Sequence, residues 1–189
     1  MIWETIASSF TLVAASEMGD KTQLLAFSLA GRFRRPWTVM AGILVATLAN
    51  HTLASSLGAW ISAHVPARVM AGVLAATFFG FGLWTLRPDT LDEDGKAPRF
   101  GPFVTTVVLF FLAEMGDKTQ LATVALAARF GNVALVTAGT TLGMLASDGL
   151  AVFLGEKFAA KVQGRWLRIV AACLFFVFGI VSAWGAVRG

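Results

Sequence analysis

The heptapeptide Glu-Met-Gly-Asp-Lys-Thr-Gln occurs twice in this chain of 189 residues, over 17–23 and again over 114–120. Each copy groups two carboxylates, an ammonium group, a hydroxyl and an amide. Oxygen ligands of these kinds suit hard divalent cations such as Mg²⁺, Ca²⁺ and Mn²⁺, whereas the thiolates and imidazoles that suit Zn²⁺ or Cu⁺ are absent from both copies. The candidate metal ligands are therefore the four acids of the two motifs, Glu17, Asp20, Glu114 and Asp117.

The other polar residues of the motifs are candidates for an additional ion or proton path. They are Lys21, Thr22, Gln23, Lys118, Thr119 and Gln120. Four carboxylates and two ammonium groups sum to −2 when all are ionised, so one divalent cation would neutralise the set. Protons can do the same, because crowded buried carboxylates repel one another in their charged form. Metal and protons then compete for the same oxygens, which is the physical basis of cation/proton exchange.

The composition of the chain places these motifs in a membrane protein. Hydrophobic residues make up 57% of the chain, charged residues only 14%, and the mean hydropathy is +0.73. A soluble domain has about 25% charged residues. The composition therefore excludes a typical cytosolic enzyme and a disordered chain. The single cysteine, Cys173, excludes an intrachain disulfide and a cysteine-based metal cluster.

Six apolar stretches are long enough to cross about 30 Å of hydrocarbon as helices, which takes roughly 20 residues each. The predicted spans are 5–31, 36–63, 67–86, 102–128, 132–155 and 166–187. The two motifs fall near the centres of the first and fourth spans. A charged residue at a helix centre costs about 2.5–3.5 kcal/mol on insertion scales. The motif charges must therefore pair with one another, face the protein interior or be neutralised by protons.

The spacing of the charged residues within a motif predicts which of them share a helical face. In a continuous helix Glu17, Asp20 and Lys21 would lie on one side, because spacings of three and four residues share a helical face. The glycine inside each motif, Gly19 or Gly116, removes side-chain bulk beside the acids. It permits either the close approach of a second helix or a local break in the helix.

The motifs belong to a longer internal repeat. Residues 17–33 and 114–130 are identical at 12 of 17 positions, at an offset of 97 residues and without gaps. Each half holds three predicted spans, and because three is odd the second half enters the membrane from the opposite side. We predict an all-α membrane protein of six transmembrane helices, in two inverted-topology three-helix repeats over 1–86 and 102–189 with a linker over 87–101. Secondary transporters of this architecture bind substrate near the midplane, where the repeats meet.

Basic residues are distributed unequally between the two sides of the predicted membrane. Three of them, Arg68, Arg129 and Arg188, lie on one side, and ten lie on the other. The ten are Arg32, Arg34, Arg35, Arg87, Lys96, Arg99, Lys157, Lys161, Arg165 and Arg168. The positive-inside rule makes the ten-residue side cytoplasmic, so the central loop is cytoplasmic and both termini are outside. This bias accounts for much of the sequence pI of about 9.8 without a nucleic-acid partner.

The second span of each half carries polar residues at equivalent positions. Asn50 and His51 in the first half correspond to Ser147 and Asp148 in the second. An ionisable residue inside a membrane span is a functional candidate by default, so we predict that Asn50, Ser147 and Asp148 add ion ligands or a proton path. His51 is either a pH-sensitive gate or a packed polar residue.

Three functions are compatible with charges inside the membrane. A structural seam would pair the glutamate with the lysine of the same motif, although buried ion pairs add little net stability. An intramembrane aspartyl protease would use Asp20 and Asp117, but such enzymes often show Gly-x-Gly-Asp, and here the first position is Glu. A cation/proton transporter accounts for all the motif charges and is favoured, with no catalytic residue and no cofactor expected.

Two three-span halves that each carry Glu-x-Gly-Asp-[Lys/Arg]-[Ser/Thr] resemble the Golgi-type Ca²⁺/Mn²⁺:H⁺ cation exchanger family over nearly the whole chain. The resemblance implies that the motif acids form the ion site, which carries over onto Glu17, Asp20, Glu114 and Asp117. It also implies a role for a polar residue of the fifth span, here Ser147. A short chain of this kind resembles the prokaryotic members, which implies Mn²⁺ export across the plasma (inner) membrane in exchange for protons.

The partners that the resemblance implies are a divalent metal ion, Mn²⁺ or Ca²⁺, together with protons and the lipid bilayer. The family is also linked to amino-acid exporters such as lysine exporters. Export of an amino acid or another small organic cation is therefore an alternative, beside a structural or assembly role in the membrane.

Overall fold

The computed structural model describes residues 2–87, 100–154 and 165–188, without the side chains of residues 165, 167 and 188. These three stretches are helical and contain no strand. Their helices are α1 (Ile2–Glu17), α2 (Lys21–Phe33), α3 (Pro36–His64), α4 (Ala67–Thr85), α5 (Pro102–Glu114), α6 (Lys118–Phe130), α7 (Val133–Leu154) and α8 (Arg165–Arg188). The all-α membrane fold expected from the composition is confirmed at this level.

Four of the described helices, α3, α4, α7 and α8, are long and apolar enough to cross a membrane. Proline marks the start of α3 at Pro36 and separates α3 from α4 at Pro66, because its ring removes an amide donor and disfavours a helical conformation in the residue before it. Large apolar side chains lie on the outside of the molecule, among them Trp37 and Trp60 near the two ends of α3. Such a surface suits lipid rather than water.

The first and fourth predicted spans are each divided into two shorter helices. Residues 18–20 separate α1 from α2, and residues 115–117 separate α5 from α6. Gly19 has φ +83° and Gly116 has φ +79°, in the left-handed region that a helix cannot include. The predicted continuous helix, with Glu17, Asp20 and Lys21 on one face, is therefore wrong. The other reading of the motif glycines, a local break, is confirmed.

The helices pack in a pattern that repeats at the offset of 97 residues. Helices α3 and α7 pack on each other, α3 also packs on α5 and α6, and α7 packs on α1 and α2. Helices α4 and α8 form a second close pair, in which Phe78 meets Phe175 at a centroid distance of 6.5 Å and Phe79 meets Phe176 at 6.0 Å. Each of these ring pairs joins a residue to its own counterpart in the other half. The α4–α8 contact is therefore reciprocal.

Candidate functional site

The two motifs build equivalent helix breaks. Asp20 is the N-cap of α2, and its Oδ1 accepts a hydrogen bond from the backbone N–H of Lys21 at 2.7 Å. Asp117 caps α6 in the same way, accepting from the N–H of Lys118 at 2.7 Å. A carboxylate at this position satisfies one of the amides that a helix start leaves open, and it interacts favourably with the helix dipole.

A glutamine completes each break. Gln23 Oε1 accepts from the Gly19 N–H at 3.0 Å, and Gln120 Oε1 accepts from the Gly116 N–H at 2.8 Å. An amide left without any partner inside a membrane span would cost several kcal/mol, so these side chains stabilise the break. Part of each motif thus has a structural task that is separate from any ion binding.

The ion pairs of the site run between the two motifs. Lys118 Nζ lies 3.1 Å from Asp20 Oδ1, and Lys21 Nζ lies 3.4 Å from Asp117 Oδ2. The first pair is almost fully buried, whereas the Lys21 side chain is 29% exposed. Each lysine therefore partners the aspartate of the opposite motif, in contrast to a seam that would join the glutamate and lysine of one motif.

The two motif glutamates have different surroundings although both are fully buried. Glu17 Oε2 accepts a hydrogen bond from Thr22 Oγ1 at 2.6 Å, and Glu17 Oε1 accepts one from Thr119 Oγ1 of the opposite motif. Within the described residues, neither carboxyl oxygen of Glu114 has a hydrogen-bond partner. Both threonine hydroxyls thus donate to the same glutamate, and the site is asymmetric.

The amide groups of the two glutamines reach the second long helix of the opposite half. Gln23 Nε2 donates to the backbone oxygen of Ser147 at 3.0 Å and to its Oγ at 3.3 Å. Gln120 Nε2 donates to Asn50 Oδ1 at 3.3 Å, and Asn50 Nδ2 donates to the Phe111 carbonyl at 3.0 Å. Asn50 and Ser147 occupy equivalent positions of the repeat, so the two contacts are reciprocal. Both residues therefore contact the motifs, and their predicted role as ion ligands or as a proton path stays a prediction.

Asp148 and His51 also occupy equivalent positions and are both fully buried. In the described part of the chain, neither the Asp148 carboxyl oxygens nor the His51 ring nitrogens have a hydrogen-bond partner. Asp148 directly follows Ser147, whose backbone oxygen and hydroxyl accept hydrogen bonds from Gln23 of the first motif.

Over the ranges that the structure describes, no three His, Cys, Asp or Glu side chains are arranged to hold a metal ion. The four motif acids are near one another, but Asp20 and Asp117 are held by lysines and Glu17 by threonines. A divalent cation would have to displace these partners. Both carboxyl oxygens of Glu114 and of Asp148 could take a cation or protons without the loss of a described hydrogen bond.

Comparisons with known proteins agree with this chemistry. The family model described as "Divalent cation/proton antiporter GDT1" matches residues 5–93 and 102–189. A Vibrio cholerae protein named "Putative manganese exporter" is 40% identical over 183 residues, which cover 96% of this chain and 92% of that protein. A GDT1-like protein of Synechocystis is 34% identical over 92% of this chain and 93% of its own length.

Plant proteins show the same similarity at lower identity. GDT1-like protein 3 of Arabidopsis thaliana is 28% identical, over 96% of this chain and 71% of its own length. No solved structure matches this chain significantly.

Proposed function

Because this chain belongs to the divalent cation/proton antiporter family GDT1, we propose that it exports Mn²⁺ from the cytoplasm in exchange for protons, by alternating access at the two motifs. The observation that carries the proposal is the asymmetric cluster of buried acids, in which Glu17 is fully hydrogen-bonded and Glu114 is not. A buried carboxyl without a partner is costly, and binding a cation or a proton relieves that cost.

The proposed architecture is a six-span inverted repeat. Helices α1 and α2 together form the first span, α5 and α6 form the fourth, and the four long helices form the others. The reciprocal contacts at the offset of 97 residues support this arrangement, since Gln23 reaches Ser147 where Gln120 reaches Asn50. The halves then cover 1–86 and 102–189, joined by the linker 87–101. The positive-inside bias places that linker in the cytoplasm and both termini outside.

In the proposed mechanism Glu17, Asp20, Glu114 and Asp117 supply the ligand oxygens. Lys21 and Lys118 neutralise the aspartates when no cation is bound, and an entering cation competes with these ammonium groups for the same carboxylates. Thr22, Thr119, Gln23 and Gln120 hold the acids and the helix breaks in place. Asp148, which directly follows Ser147, is a proposed proton carrier together with Ser147 and Asn50.

The aspartyl protease alternative fits this geometry poorly. A protease dyad needs two aspartates that share one proton at short distance. Here Asp20 and Asp117 each cap a helix and each pair with a lysine of the opposite motif.

Mn²⁺ is the first choice of cargo because oxygen ligands suit it and because the Vibrio cholerae relative is named for manganese export. Ca²⁺ is the cation to test beside it.

The test is metal flux into proteoliposomes under an imposed pH gradient, with Mn²⁺ or Ca²⁺ and a pH-sensitive dye inside. Wild type should move Mn²⁺ against protons, and Glu17→Gln and Glu114→Gln should each abolish the flux. Glu93→Gln, an acid of the sequence between the two halves and outside both motifs, is the matched control and should keep it. Folded wild-type protein that moves neither metal, or lysine in place of a metal, would overturn the proposal.

A further inference from the structure

Arg129, near the end of α6, joins that helix to α8. Its Nη1 donates a hydrogen bond to Ser182 Oγ at 2.9 Å, and its guanidinium lies over the Phe178 ring at 5.3 Å from the centroid. Ser182 is 5% exposed, so the hydrogen bond is largely shielded from water. A charge-assisted hydrogen bond combined with a cation–π contact is among the stronger contacts available at a membrane interface.

The repeat supplies the same three residue positions in the first half. At the offset of 97 residues, Arg129 corresponds to Arg32, Ser182 to Thr85 and Phe178 to Phe81. The contacts are different there. Arg32 is exposed. Its guanidinium lies over the adjacent Phe33 ring at 5.7 Å, a contact that Arg129 also makes with Phe130 at 5.5 Å, so the halves differ in the contacts of the arginine with the third span. The Thr85 hydroxyl is buried, and within the described residues it has no hydrogen-bond partner.

The two sets lie at opposite ends of the helix bundle. A cavity of about 810 Å³ contains Arg129 and Ser182 and is also lined by Thr5 near the start of α1 and Ala67 at the start of α4. We call this the termini end. Thr85 ends α4 and Arg32 precedes the turn into α3, so both belong to the other end, the linker end.

The packing of the helices shows the same asymmetry. Helix α4 packs on α6 and helix α8 packs on α1, which are the half-helices of the termini end. The counterpart pairs, α8 with α2 and α4 with α5, are nearly without contact in the described residues. The α4–α8 pair is therefore docked at the termini end and separated from the half-helices at the linker end.

From these observations we infer that Arg129–Ser182 and Arg32–Thr85 are two alternating latches, of which the first is closed and the second open in this structure. Closing one latch docks the third span of its repeat, α4 or α8, at one end of the bundle, and exchanging the latches gives the opposite-facing state. Inverted repeats allow this, because the two halves can exchange conformations around a fixed site. The inference rests on the proposed transport function and assigns the gating residues to it.

The test measures which end is open, by thiol labelling in proteoliposomes with a membrane-impermeant reagent. Leu12, fully buried between the termini-end cavity and the motif, becomes the reporter as Leu12→Cys in a Cys173→Ala background. Its counterpart Leu109→Cys reports on the linker end. Arg129→Ala should raise the labelling rate of the Leu12→Cys reporter about tenfold, because a hydrogen bond to a charged group is lost. The same substitution should lower the labelling rate of the Leu109→Cys reporter.

Arg32→Ala should act in the opposite direction, slowing the Leu12→Cys reporter. Ser182→Ala, which keeps the arginine, should act like Arg129→Ala but less strongly, and it serves if Arg129→Ala does not fold. If both arginine variants raised the labelling rate of the Leu12→Cys reporter, the helix bundle would be loosened as a whole, and the proposal of two alternating latches would be wrong. Unchanged labelling together with intact wild-type Mn²⁺/proton exchange would also overturn the latches while leaving the transport function standing. Absence of exchange in wild type would instead remove the transport function.

Discussion

The hydroxyl of Thr119 in the second motif donates a hydrogen bond to Glu17 in the first. Thr22, the equivalent threonine of the first motif, donates to the same glutamate rather than to Glu114. Two threonines that are equivalent in sequence therefore donate to one and the same glutamate, and this breaks the symmetry of the site. Because inverted repeats exchange conformations during transport, we expect both hydroxyls to donate hydrogen bonds to Glu114 in the opposite-facing state.

The first prediction concerns this hydroxyl. Thr119→Val removes the donor and leaves a buried carboxylate with one bond fewer, a loss of about 1.5–3 kcal/mol for a hydrogen bond to a charged group. We expect the Mn²⁺/proton exchange rate to fall at least tenfold, and Thr119→Ser to restore most of it. The control is Thr123→Val, one turn further along α6, whose hydroxyl donates to the Thr119 carbonyl at 2.8 Å within the helix. Equal defects in the Thr119→Val and Thr123→Val variants would contradict a special role for Thr119.

The second prediction concerns the helix break. A Cβ at Gly116 would meet no atom within 4 Å, so Gly116→Ala is opposed only by the backbone angle, φ +79°. A left-handed conformation costs an L-residue about 1–2 kcal/mol, and we expect a loss of unfolding free energy of that size. Gly72→Ala is the control, because Gly72 lies inside α4 with open space around it and a helical angle. There alanine should stabilise by about 0.5–1 kcal/mol. Denaturant titration in detergent measures the unfolding free energy of both variants. Equal changes relative to wild type would contradict backbone strain at position 116.

Much of the organisation of this molecule could be predicted from its sequence. The repeated motif, the long apolar helices and the equivalence of Asn50 and Ser147 follow from spacing and hydropathy, and the two residues make equivalent contacts with the glutamines of the motifs. These features depend on local composition and on the offset between the two halves. Local composition and the repeat offset can both be read without knowing how the chain folds within each motif.

The arrangement inside the motif could not be predicted in the same way. Glu17, Asp20 and Lys21 share a face only in a continuous helix, whereas a positive φ at Gly19 turns the chain after Glu17. One signal for the break was present, since Asp20 followed three residues later by Gln23 is a pattern typical of a helix start. The pairing of each lysine with the opposite aspartate depends on how the halves meet in space, which spacing along one chain does not specify.

The third prediction compares the two crossed ion pairs. Asp20→Asn keeps a capping side chain and removes only the charge, leaving the buried ammonium of Lys118 without its carboxylate at 3.1 Å. Breaking a buried pair costs about 3–5 kcal/mol, and Asp20→Asn combined with Lys118→Met should cost clearly less than the sum of the single variants. The matched cycle on Asp117 and Lys21 should give a smaller coupling, because the Lys21 side chain is 29% exposed. Unfolding free energies in detergent provide both cycles, and equal coupling energies would contradict the difference in burial.

The fourth prediction concerns the pH dependence of metal binding. Protons and Mn²⁺ compete for the oxygens of Glu17 and Glu114, and only the deprotonated carboxylates bind the cation. The apparent affinity should therefore fall as the pH falls, and binding should release protons into weakly buffered solution. Calorimetry of the detergent-solubilised protein in buffers of different ionisation enthalpy measures both effects. Glu114→Gln should lose the affinity and the proton release together, because its amide cannot supply the displaced proton. Affinity that does not change with pH in wild type would show that protons and the cation occupy separate groups, and the exchange would then require a proton carrier such as Asp148 outside the motifs.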